Sequence, residues 1–80
     1  MKYLYKMGET ETYIYDEVVN GLADNNGGVL TLDQIKYAIH QLQKEGMKYF
    51  HIIDEFCLLL YFIERENVDK AIVIEKRDEF

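Results

Sequence analysis

Met47-Lys48-Tyr49-Phe50-His51-Ile52-Ile53-Asp54-Glu55-Phe56-Cys57-Leu58-Leu59-Leu60-Tyr61-Phe62-Ile63-Glu64-Arg65-Glu66 is the stretch whose reading decides the fold. Ile53, Phe56, Leu60 and Ile63 recur at helical spacing, and so do Phe50, Ile53, Cys57 and Leu60. Phe56 to Ile63 is also an unbroken apolar run bounded by polar residues, as a buried strand would be, and periodicity alone does not separate the two cases. One long helix over 48–67 is the first reading. A short helix over Met47–Glu55 followed by a strand over Cys57–Glu64 is the second.

The flanks are plainer. After the polar corner Glu64 to Asp69, Ala71-Ile72-Val73-Ile74 is a β-branched run that reads as a strand. Before the stretch, Leu32, Ile35, Ile39 and Leu42 form one apolar stripe with Ala38 beside it, so a helix over Leu32 to Glu45 should bury all four. Thr31 with Gln34 three residues on is a capping box, and Gly46 supplies the stop. Tyr37, Gln41 and Lys44 face away from that stripe. The Asn25-Asn26-Gly27-Gly28 run ends an earlier helix expected over Glu11 to Asp24, whose stripe is Ile14, Val18, Val19 and Leu22. At the start, Tyr3 and Tyr5 alternate with Lys2, Leu4 and Lys6, as in a short edge strand.

Both readings give one small α+β domain over residues 1–80, with about three helices and a short antiparallel β-element. In the first, three helices pack on a sheet made from the N-terminal segment and Ala71–Ile74. In the second, Cys57–Glu64 pairs with Lys70–Lys76 as a hairpin, and a short strand at Val29–Thr31 enters the second helix. That order resembles a winged helix-turn-helix, which implies a DNA-binding regulator.

The electrostatics weigh against nucleic acid. The net charge is −6, with nine Lys and Arg against fifteen Asp and Glu, and phosphates are repelled by that balance. A winged helix would present Lys48, Tyr49 and His51 to a major groove, but Asp54 and Glu55 oppose them. The Leu30-Thr31 pair also resembles part of an EF-hand loop, which implies calcium. With Gly28 at the loop glycine, Ala23, Asn25, Gly27 and Gln34 fall at ligand positions, and none is a carboxylate. A degenerate EF-hand is therefore the third reading, and no metal or cofactor is expected.

Catalysis finds no support. The chain has no serine, and neither His40 nor His51 has a nucleophile at helical spacing. His51 with Asp54 and Glu55 falls short of a metal set. Cys57 is the only cysteine and sits in the apolar run, where a small buried hydrophobe is expected. With no disulfide and no apolar leader after a basic start, a reducing, cytoplasmic setting is expected. The longest apolar run is far below the roughly 18 residues that span a bilayer. The lack of proline and tryptophan beside many Tyr, Ile, Lys and Asn is the bias of an AT-rich bacterial or phage genome, a compositional expectation with no mechanism behind it.

The aromatic load remains. Seven Tyr and four Phe in 80 residues is a high load, and not all of it lies on the apolar stripes. A small core that uses large side chains to gain area is one reading, and an interface is the other. Tyr is enriched at protein interfaces. The sequence therefore reads as a non-catalytic protein-interaction module, a regulator or inhibitor, with Tyr37, Tyr49, Tyr61, Phe62 and Ile72 as its contact residues. The partner is another protein or a second copy, joined around Tyr61, Phe62 and an unpaired Ala71–Ile74 edge.

Overall fold

The alternation of Tyr3, Tyr5 and Met7 with Lys2, Leu4 and Lys6 becomes strand β1 (Lys2–Met7) in the computed structural model, which describes residues 1–78. A two-residue loop with Gly8 first, at φ 62°, returns the chain into β2 (Thr10–Ile14). The expected helix over Glu11 to Asp24 is thus corrected: only its second half is helical, as α1 (Glu17–Asn25). The physical reason is the hairpin, which takes Ile14 into the sheet and leaves Asp16 to cap the helix.

The chain continues through β3 (Val29–Thr31), α2 (Leu32–Gln43), a 3-10 turn (Gly46–Tyr49), α3 (Phe50–Arg65) and β4 (Lys70–Arg77). The decisive stretch is therefore helical over sixteen residues, and the Cys57–Glu64 hairpin is not formed. Without it the wing is missing, although β3 does lead into α2. Asn67, at φ 54°, takes the left-handed turn that ends α3, and Val68 N–H donates to Ile63 C=O at 3.1 Å.

The strands form one antiparallel sheet in the order β2-β1-β4-β3. β1 is central, not an edge. β4 is central too, so the expected unpaired Ala71–Ile74 edge does not exist. A bulge places Leu4 opposite Glu75 but Tyr5 opposite Val73, leaving Ile74 as the extra residue. The shift sets Lys76, rather than Glu75, opposite Tyr3, and Lys76 there meets Asp24 from the end of α1. Without the bulge an acid would face an acid.

All three helices lie on one face of the sheet. Tyr3, Tyr5, Met7, Ile14, Leu30 and Ala71 from the strands are buried against Val19, Ala23, Ile35, Phe56, Leu59 and Ile63 from the helices. The molecule is two layers thick, 19 Å across its shortest axis, and the far face of the sheet is uncovered. One polar side chain enters the core. Asn20 accepts from the Tyr5 hydroxyl at 2.9 Å and donates to the carbonyls of Ile14 at 3.2 Å and Met1 at 3.3 Å. Burial above all raises the Tyr5 phenol pKa, so the hydroxyl stays a donor.

Of the expected α2 stripe, only Ile35 is fully buried; Leu32, Ile39 and Leu42 are half-buried at the margin. Cys57 is exposed, not a core residue, because α3 turns Phe56, Leu59 and Ile63 to the sheet and leaves the opposite side to solvent.

Candidate interaction surface

The surface begins with the way α1 and α2 are held. Asp16 caps α1 by accepting from Val18 N–H at 2.8 Å and Val19 N–H at 3.0 Å. Gly27 and Gly28, at φ 67° and 82°, stop it, and Gly28 N–H donates to Ala23 C=O at 2.7 Å. At the start of α2 the capping box closes as its residue types demand, with Thr31 and Gln34 exchanging bonds at 3.0 and 3.2 Å. Asn26 then donates to the Gln34 side-chain oxygen at 3.0 Å, fastening the end of α1 to the start of α2.

From that clamp both helices line a groove of about 530 Å³. Its walls include Val18, Leu22, Tyr37 and Leu42, and buried Phe56 lies at its base. Val18 is 52% exposed and Tyr37 67% exposed, a large apolar area left to water. The end of the groove at the clamp is lined by the neutral amides of Asn25 and Gln34; the other carries Glu17 with the amide of Gln41. Asp16 precedes Glu17 in the chain, and Glu55, next to the groove-lining Phe56, comes near Asp16. Burial, then the neighbouring Asp16 and Asp54, raises the Glu55 carboxyl above its usual range. Glu17 meets only the Met1 ammonium, at 3.5 Å, among the ion pairs of the described residues.

The expected contact residues do not form one patch. Tyr37 lines the groove. Tyr61, 59% exposed, is on the outer side of α3 one turn from Cys57 and Leu58, with Phe50 three turns back at the helix start, and its ring meets Phe62 edge-on. Phe62 is half-buried against the core. Tyr49 is half-buried in the 3-10 turn, with Lys48 over its ring at 5.3 Å. Ile72 is 39% exposed on the uncovered face of the sheet, away from all the others, because it alternates with buried Ala71. Phe62 and Ile72 therefore lie on opposite sides of the sheet and share no contact surface.

Val18 and Leu22 were missing from the sequence-derived set. Both stood in the Ile14 stripe, and the misplaced start of the helix hid that Val18 points outward. Strand alternation also gathers Lys2, Lys6, Lys70 and Arg77 on the uncovered sheet face, with Lys2 and Arg77 over the Tyr13 ring, a grouping the linear charge balance conceals.

The loop at Gly28 closes as a helix stop, and the Gln34 oxygen is engaged by Thr31 and Asn26. Among the described residues no three His, Cys, Asp or Glu side chains converge as a metal set, and no helix is long and apolar enough to cross a membrane. In class, the chain is a small α+β domain with a one-sided helical layer and an open apolar groove in that layer. No protein-family model, no curated protein and no solved structure matches it.

Proposed function

We propose that this protein is a non-catalytic interaction module that regulates or inhibits a partner protein, and that the helical layer is its contact surface. The groove carries the reading. Its apolar walls sit on two capped, clamped helices, so the surface is formed before the partner arrives and little ordering opposes binding. Tyr37 at its rim is the rigid, amphipathic kind of side chain that supplies contact area at low entropic cost.

The test is recovery of a crosslinked partner by the full chain, compared with Val18→Asn and Tyr37→Ala. Loss of the partner in both, with unchanged melting, supports the reading. Equal recovery by the variants overturns it.

A second copy is also supported, by a different observation. Phe50, Leu58 and Tyr61 are exposed along α3 beside Cys57, a face that a two-fold contact between like helices would cover. Sedimentation at tens of micromolar should show a dimer that Tyr61→Asp dissolves, and a monomer throughout removes the idea.

A further inference from the structure

We propose that the α1–α2 groove receives an amphipathic helix of the partner, with lysine or arginine clustered at the end that lies over Asp16, Glu17 and Glu55. This rests on the interaction-module reading and names the chemistry of what binds.

Shape supplies the first argument. Two neighbouring helices with an apolar furrow between them offer the seat that a third helix takes, with apolar side chains at i, i+3 or i+4, and i+7 entering the furrow. Nine residues of α1 extend about 13 Å, so the seat suits two to three turns of an incoming helix.

Charge supplies the second argument, and it fixes the partner's sign and polarity. None of the groove-lining residues is basic. Among the described residues the only cation paired with Asp16, Glu17 or Glu55 is the exposed Met1 ammonium, 3.5 Å from Glu17; no Lys or Arg pairs with them. Glu17 is the one charged lining residue, with Asp16 preceding it in the chain and Glu55, next to the groove-lining Phe56, near Asp16; the amides of Asn25 and Gln34 occupy the other end. A cation brought to the first end relieves like-charge crowding, whereas an anion adds to it. The same argument disfavours a second copy in this seat: each copy carries −6, and its exposed α3 stripe runs past Asp54 and ends at Glu64, Arg65 and Glu66, where acids outnumber the one base.

The probe is a peptide of roughly fifteen residues, near the shortest length at which a helix forms alone. It carries leucines at the furrow positions, alanines elsewhere and three lysines in the last turn. A twin has glutamates in place of the lysines. Binding to the full chain is read by anisotropy and by backbone amide shifts. The lysine peptide should bind with its shifts confined to α1, α2 and the start of α3, and the glutamate twin should bind at least tenfold more weakly. Glu17→Gln with Glu55→Gln should bring the twins to within about threefold, and Val18→Asn should weaken both by tenfold or more. Tyr37→Ala repeats the Val18 test at a site where loss of fold is not at issue.

Twins of equal affinity overturn the proposal, as do shifts centred on the sheet face or on the outer side of α3, or a dimer whose contact covers the groove. If the twins bind equally in the groove while Val18→Asn still abolishes partner recovery, the basic-helix proposal falls and the interaction-module reading stands. If partner recovery ignores Val18→Asn, that reading falls as well.

Discussion

The seam between sheet and helices and the groove between α1 and α2 are built from the same residue types and treat them oppositely. In the seam, Phe56, Leu59 and Ile63 vanish beneath α3, and Asn20, the one buried polar side chain among the described residues, has its bonds filled. In the groove, Val18 and Tyr37 stay in water although buried Val19 and Ile35 stand one and two residues away. The difference teaches where stability resides. Apolar area removed from water contributes about 25 cal/mol per Å². Area that stays exposed contributes nothing to folding and is available to a partner.

Substitutions should separate the two regions by size of effect. Phe56→Ala stands first, because Phe56 is buried and also floors the groove: a loss of about 3–5 kcal/mol in denaturant unfolding is expected, enough to threaten so small a domain. Ile35→Ala should follow with about 3 kcal/mol, while Ile39→Ala, half-buried, should cost about 1–2 kcal/mol. Equal losses would mean that the margin of α2 is as closed as its centre. Asn20→Ala leaves the Tyr5 hydroxyl buried without its acceptor and should cost about 1–3 kcal/mol.

Glu55→Gln should act in the opposite direction. The folded-state pKa of Glu55 is raised, so the ionised form burdens the native state at neutral pH. The variant should gain roughly half a kcal/mol there, kept small by solvent screening. The gain should fade as pH drops through the folded-state value, where the native carboxyl is already neutral. A gain that persists at low pH would assign the effect to packing instead. Smallest of all, Val18→Asn should shift stability by under about half a kcal/mol, as exposed positions do, and should be read in binding rather than in melting.

Much of the helical layer was legible from residue types. The Thr31–Gln34 capping box and the two-glycine stop act within a few residues of themselves, so the α1–α2 junction followed from local chemistry. The start of α1 did not, because Ile14 satisfies both a helical stripe and an alternating strand, and only pairing with Tyr3 chooses between them. The groove was half legible: spacing alone turns Tyr37 away from its stripe, but nothing local says which helix stands opposite it.

By itself, then, the sequence determined an α+β domain, a negatively charged chain, the capped α2 and its glycine and asparagine stops, because each depends on near neighbours or on sums over the whole chain. Tertiary structure alone decided that residues 57–64 join one helix, that β1 and β4 are central, that Phe62 and Ile72 are parted by a sheet, and that Glu55 comes near Asp16, the residue before the groove-lining Glu17. Those facts depend on which surfaces meet across long chain separations, and such pairings are set by burial and register in three dimensions rather than by spacing along the chain.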